Sequence, residues 1–414
     1  MSDKTSLNDA LSGVRVLDFS QIGAGPTIGM LMGDMGAEVT KIEAPGGDLG
    51  RQLGPPWVNG ESVIAASFNR NKRGLCLDLK KPGAVAAVKR LAAQADVLIE
   101  SFRPGVMDRL GVGWDALSAS NPRLIWCAVT AFGQEGPWAD RPGVDGVVQA
   151  LCGLMSQIGV DGAEPCKVQV PAVDMTTGFL GTVAVLGALQ ARARTGKGQF
   201  LDVNMYNAGL MLQLTGVSSY LASGELPRRI GSAAPYAAPN EAYRTSDGWM
   251  MIAAYQPERW KALCEVLGLS SAMSGDARFV DNDGRVRHRA ELRVILESKL
   301  SQRTTAEWLE QLEPRDIMCA PVADYSMVTR SEQFAHASPT VRQPLSGGGH
   351  IEVPGFALGD RQVQSRLRRG APAVGEHSRE VMSEAGFSEE ELNALVEEGA
   401  VILRPGARAQ GETR

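Results

Sequence analysis

The chain is poor in the groups on which much enzyme chemistry depends. Only four of its 414 residues are histidine, and His288, His336, His350 and His377 all lie in the C-terminal third. Imidazole chemistry would need one of them to reach the N-terminal half, so each reads as a surface or structural residue. Six cysteines (Cys76, Cys127, Cys152, Cys166, Cys264, Cys319) are widely spaced, with no CxxC pair and no Cys/His cluster at zinc-ligand spacing. That excludes a disulfide scaffold and a zinc module, and a reducing cytoplasm is the expected location. No GxSxG elbow, P-loop or HExxH pattern occurs. Neither sign of charge is in large excess: 42 Lys and Arg stand against 47 Asp and Glu, a formal net charge of −5. Such a balance gives no general attraction to nucleic acid or an anionic membrane. The opening MSDKTSLNDALSG lacks the basic-then-apolar run of a signal peptide. The uncharged stretches 175–191 and 203–224 are broken by Thr and Gly, or by Asn, Gln and Ser, so no membrane span is expected. No metal site and no tightly bound cofactor is expected either.

What is present is enough apolar residue, 44% of the chain, to bury a sizeable core in two or three domains. The first half alternates short apolar strands with helices: strand 14–19, a Gly23-Ala-Gly-Pro26 turn into a helix to about residue 35, and strand 37–42. Strand 74–79, an Ala-rich helix over 83–95, and strands 96–100 and 124–129 follow. This alternation predicts an α/β domain with a Rossmann-like, doubly wound parallel sheet. A long, largely buried helix over 175–193 and a strand over 198–203 complete its first part, residues 1–225. Pro227, Gly231, Pro235 and Pro239 then break the chain before a strand at 248–254 and helices at 258–267, 291–300 and 305–312. They predict a smaller α+β domain over 226–325. Residues 326–404 are expected to return to the large domain, through a Gly347–Gly349 turn before short strands and a helix over 388–398. Ser388 and Glu391 have the spacing of a capping box. The tail 405–414 is expected to be disordered.

Four places carry candidate chemistry. Gly23-x-Gly25 sits between a strand and a helix, with Glu43 ending the next strand, as a dinucleotide site would need for pyrophosphate and ribose. Pro26 and Thr27 depart from that fingerprint, so a tight structural turn and a site for another phosphate-bearing ligand stay open. The basic run Asn69-Arg70-Asn71-Lys72-Arg73 reads as a solvated loop or as phosphate contacts. Arg103 and Arg109 flank a Pro-Gly turn that brings both guanidinium groups to one anion, unless Arg109 pairs with Asp108 or Glu100. Asp174 ends an extended apolar stretch and opens the long helix. It reads as an N-cap accepting the amide of Thr176 or Thr177, or as a carboxylate kept ionised by backbone N–H groups and used as a nucleophile.

Taken in order, these segments resemble the class III coenzyme A transferase family, which includes formyl-CoA transferase and crotonobetaine/carnitine CoA-transferase. The matching stretches are LSGVRVLDF with AGP (11–26), GAEVTKIE (36–43), FNRNKRG with LDLK (68–80), ADVLIESFRPG with RLG (95–111), GQEGP (133–137) and VDMTTG (173–178). They continue through TGKGQ (195–199), DGW (247–249), EWL (307–309) and GEHSREV (375–381). The resemblance implies transfer of coenzyme A from an acyl-CoA to a carboxylic acid through a covalent nucleophile at Asp174, by way of a mixed anhydride and an aspartyl-CoA thioester. It implies coenzyme A contacts at Gly23, Ala24, Leu77, Asp78, Leu79, Lys80, Ser101, Phe102, Arg103 and Arg109, and a flap over the acyl group at Gly231-Ser-Ala-Ala-Pro235. It also implies an interlocked homodimer in which each chain makes a ring threaded by the other. Some members carry Gln in the first loop and Arg after the second strand; here those places hold Gly23 and Ala44. The α-methylacyl-CoA racemases of the same superfamily add a His and a Glu, at places matched by Val144 and Gln256, and neither is a base. An acyl-CoA isomerase or racemase, and a non-catalytic acyl-CoA-binding subunit, are the alternative readings.

Overall fold

Alternate residues along the early strands belong to different cores. The computed structural model describes residues 6–273, 275–356 and 366–404, and the expected tail at 405–414 lies outside them. Strands β1 (Arg15–Asp18), β2 (Glu38–Glu43), β3 (Lys72–Leu77), β4 (Val97–Glu100), β5 (Ile125–Thr130) and β6 (Gln199–Asn204) form a parallel sheet in the order β3-β2-β1-β4-β5-β6. The helices that matter to the site are α1 (Ala24–Asp34), α2 (Pro82–Ala92), α3 (Asp145–Leu151), α4 (Ala172–Thr195) and α5 (Met205–Leu212). Val16, Val39, Val97, Ile99, Ile125 and Cys127 pack on one face with Ile28 of α1 and Val185 of α4. Leu17, Leu75, Leu98 and Trp126 pack on the other with Val88 of α2 and with Val381 and Met382. A sheet covered on both faces reads as nearly continuous apolar strands, as these do. The fold is therefore α/β, as the alternation predicts. Strand order reverses between β1 and β4, and open α/β sheets bind ligands outside the strand C-termini at such a point.

The short strand Val401–Ile402 runs antiparallel to β3, with Val401 opposite Leu77, and covers that edge of the sheet. Upstream of it, Gly347–Gly349 turns the chain between Thr340–Pro344 and His350–Pro354, an antiparallel pair whose first strand was not expected. Ser388 and Glu391 form the expected capping box.

Helix α4 has 24 residues, longer than the expected 175–193, and by length and composition alone could cross a membrane. In this fold Val173, Thr177, Gly178, Gly181, Val185 and Ala188 form its buried stripe. The glycines let α1 come close: a Cβ at Gly178 would stand 2.5 Å from Thr27, and one at Gly181 would collide with Ile28.

Contacts divide the chain into two units. The first holds residues up to Leu154, Lys167–Gly224 and the chain from Ser338; the second holds Met155–Cys166 and Glu225–Ala337. Segment 155–166 joins the second unit through a bridge between Val160 and Ile230 and a 2.8 Å bond from the Gly231 N–H to the Gly159 carbonyl. The second unit has an antiparallel sheet of β7 (Asn240–Arg244), β8 (Trp249–Ala253) and β9 (Met318–Pro321), with β8 central. Tyr243, Met250 and Ile252 pack there against Trp260, Leu263, Leu292, Leu296 and Trp308 of its helices.

Candidate active site

The loop joining β1 to α1 is fixed by buried charges beneath it. Lys41 Nζ donates to the Ser20 carbonyl at 2.9 Å and to Asp48 at 2.7 Å, and Asp48 in turn accepts the Ile22 N–H at 3.0 Å. Lys72, fully buried, donates to Asp18, to the Pro26 carbonyl and to Asn69 at 2.8, 2.9 and 2.9 Å. Burial pushes its amine down to about 8, with Asp18 opposing. The Gln21 N–H reaches across to Ser101 Oγ, just past β4, at 2.8 Å. Buried charges hold only when their remaining donors and acceptors are met, and here they are met by the loop itself.

This arrangement corrects two expectations. The basic run is neither a solvated loop nor a phosphate site, because β3 begins inside it. Arg70 pairs with Asp34 at 2.6 Å, Lys72 with Asp18, and Arg73 with Glu380 and Glu384 at 3.1 and 2.5 Å. Glu43 is not free for a ribose: it is bound twice by Arg51 at 2.7 Å and accepts the Asp48 N–H at 2.8 Å. The dinucleotide reading falls with it.

Asp174 is the third residue of α4, not its N-cap, which is Pro171. The capping carboxylate comes from Asp145, the first residue of α3, which accepts the N–H groups of Val173 and Asp174 at 2.8 and 3.0 Å. Thr176 and Thr177 donate their hydroxyls back to the carbonyls of Ala172 and Val173. No donor among the described residues bonds the Asp174 carboxylate. Burial pushes its carboxyl up to about 7, and the charge of Asp145 adds to the rise. Backbone amides therefore do not hold it ionised, contrary to expectation. The close packing of α1 on α4 brings it to Gly23, where a Cβ would stand 2.5 Å from Asp174 Oδ2. Gly23 caps α1 without a side chain, and the N–H groups of Gly23, Ala24 and Gly25 have no acceptor among the described residues.

Gly23, Ala24, Ser101, Phe102, Arg103 and Asp174 line one cleft of about 320 Å3 at the strand C-termini, together with Thr130, Arg141, Val144, Asp145 and Met205. Leu77, Asp78, Leu79 and Lys80 do not line it. Leu77 ends β3, buried in the core, and Asp78–Lys80 follow it on the same rim, where the Asp78 N–H binds the Ala400 carbonyl and Lys80 is exposed. Arg109 also lies outside the cleft, exposed in the short helix Val106–Arg109. Neither Arg103 nor Arg109 has a carboxylate partner among the described residues. Glu100 accepts the Phe102 N–H at 2.8 Å instead, and burial pushes its carboxyl up to about 7. The flap residues Gly231–Pro235 belong to the second unit. None of the four histidines lines the cleft. Asp145 and Arg141 were not singled out from sequence: capping across 29 residues leaves no local pattern, and a lone arginine after Trp138 carries no motif.

The geometry agrees with the comparisons. A model of CoA-transferase family III matches residues 11–378. The succinyl-CoA:glutarate CoA-transferase of Mus musculus is 33% identical over 407 residues, covering 98% of this chain and 91% of that protein. The succinate–glutarate CoA-transferase of Agrobacterium fabrum is 34% identical over 393 residues, covering 93% and 98%. Among solved structures, a CAIB/BAIF family protein from Brucella suis superposes with a TM-score of 0.82 at 33% identity, over 91% of this chain and 100% of the other. With that match and these identities over nearly the whole chain, the chain belongs to CoA-transferase family III as an acyl-CoA:carboxylate CoA-transferase.

Proposed function

We propose that Asp174 is the covalent nucleophile through which coenzyme A passes. The observation that carries this is its placement: a desolvated carboxylate with no ion-pair partner, set against the open N-terminus of α1. The carboxylate oxygen attacks the thioester carbonyl, the C–S bond breaks, and coenzyme A leaves as thiolate from a mixed anhydride. The thiolate then attacks the aspartyl carbonyl, expelling the donor acid as carboxylate and leaving an aspartyl-CoA thioester. The acceptor carboxylate attacks that thioester, giving a second mixed anhydride and free thiolate, and the thiolate attacks the acceptor's acyl carbon, expelling the Asp174 carboxylate and leaving the acceptor acyl-CoA. Every nucleophile and leaving group is already an anion, so no step needs a proton transfer. A cleft lined by neither His nor Lys suits such chemistry. The N–H groups of Gly23 and Ala24 lie where a tetrahedral oxyanion beside Asp174 would be stabilised. Arg103 and, farther along the rim, Lys80 and Arg109 supply positive charge for the phosphates of coenzyme A.

Hydroxylamine added during turnover with acyl-CoA should convert Asp174 to its hydroxamate, located by peptide mass spectrometry. Modification elsewhere, or none, would overturn the assignment. The raised carboxyl pKa gives a second expectation. The ionised form is the nucleophile, so kcat/KM should fall about tenfold per pH unit below about 7 and level off above it. A profile flat down to pH 5 would contradict it.

The proposed assembly is a homodimer, and apolar surface supports it. Phe179 and Val183 of α4 are 50% and 65% exposed, and Leu214–Ser223 has no buried residue. The proposed location is the cytoplasm, supported by six free thiols.

A further inference from the structure

We propose that Arg141 anchors the non-reacting carboxylate of the acid acceptor, so that the acids this enzyme serves are dicarboxylates. The inference rests on the covalent role given to Asp174. An acceptor must bring its reacting carboxylate to the aspartyl thioester of Asp174, beside the Asp145 carboxylate, and that charge repels it. A cation is needed, and among the described lining residues there are two, Arg103 and Arg141. Arg103 stands past β4 with Ser101 and Phe102, among the residues assigned to coenzyme A. Arg141 belongs instead to the β5–α3 connection, the segment that delivers Asp145.

The guanidinium of Arg141 has no carboxylate partner among the described residues. It is stationed over the Trp138 ring at 5.0 Å, and that ring meets Phe132 and Tyr206 edge-on at 5.6 and 5.7 Å. A planar fork held by an aromatic face is suited to bidentate capture of a carboxylate. Capturing the attacking carboxylate would blunt it as a nucleophile. The cation therefore serves best at the far end of the acid, where it fixes position without touching the reacting atoms.

The test is steady-state transfer from one acyl-CoA donor to glutarate and to valerate, a five-carbon diacid and monoacid, by the wild type, Arg141→Gln and Arg141→Lys. The wild type should prefer glutarate. Arg141→Gln should raise the KM for glutarate roughly 10–100-fold, while the KM for valerate and for acyl-CoA stays within about threefold. Arg141→Lys should fall between, keeping charge but not the fork. Equal effects on both acids, or a wild type that prefers valerate, would overturn the inference. So would a rise confined to the KM for acyl-CoA, which assigns Arg141 to a phosphate of coenzyme A. Hydroxylamine labelling of Asp174 with donor alone needs no acid, so its loss in the wild type would instead sink the covalent mechanism.

Discussion

Asp174→Asn is expected to lower kcat/KM by at least about ten-thousand-fold and, at the same time, to make the protein more stable at pH 8. The first effect follows from removing the atom that forms the bond. The second follows from the cost of keeping a carboxylate where burial and Asp145 disfavour its charge. The folded carboxyl has its pKa raised from 3.8 to about 7, so the folded state binds this proton more tightly than the unfolded chain does. Below the unfolded value the carboxyl is neutral in both states and costs nothing. The penalty grows as pH rises from about 4 to about 7 and is constant above. An amide never pays it. After allowance for partial solvent access, the gain should be about 1–3 kcal/mol at pH 8 and absent at pH 4. Urea unfolding at the two pH values measures it. A variant less stable than wild type at pH 8, or a gain that persists at pH 4, would show that the electrostatic account of the site is wrong.

Gly23→Ala should lower kcat by about 100- to 1,000-fold with little change in melting temperature. Backbone strain is not the cause, since Gly23 has φ −119°, which any residue adopts. The obstacle is the methyl group, which would stand 2.5 Å from Asp174 Oδ2 and 2.9 Å from Cγ. Either the carboxylate turns away from the thioester or the first turn of α1 shifts with its amides, and each displaces reacting groups by about an ångström. Gly248→Ala, where a Cβ meets nothing within 4 Å, is the matched control and should keep full activity. A fully active Gly23→Ala enzyme would mean that neither the carboxylate nor the amides act from the positions described.

The alternating strands and helices of the first half were legible because short continuous apolar runs, bounded by turn residues, alternate there with helical segments. Val16 and Leu17, or Ile125 and Trp126, point to opposite cores, yet each segment is apolar enough to stand out. Position in the sheet was less legible. Asn69–Arg73 looks like a surface run because sequence shows the charges but not their partners, and Asp34, Asp18 and Glu384 lie far along the chain. Asp174 was found both from its place before a long helix and from family resemblance, but its local role was misread for the same reason. The carboxylate that caps α4 is Asp145, brought in by a different helix. Strands Asn240–Arg244 and Met318–Pro321 were missed because each is short and carries little alternation of its own; β8 between them organises both. Arg141 has no local signature at all, and only the cleft shows which charges it must balance.

The pairing of Val401–Ile402 with β3 has a consequence for synthesis. Until His377, Ser378 and Val401–Ile402 leave the ribosome, β3 presents an unpaired edge, although α1, α2 and most of the sheet have long been available to fold. The second unit, encoded largely in between, emerges complete before the first can close. A nascent chain is therefore exposed to edge-to-edge association until then, and a stop just upstream of Val401 leaves that edge covered only by the bonds of Gly74 and Cys76 to His377 and Ser378.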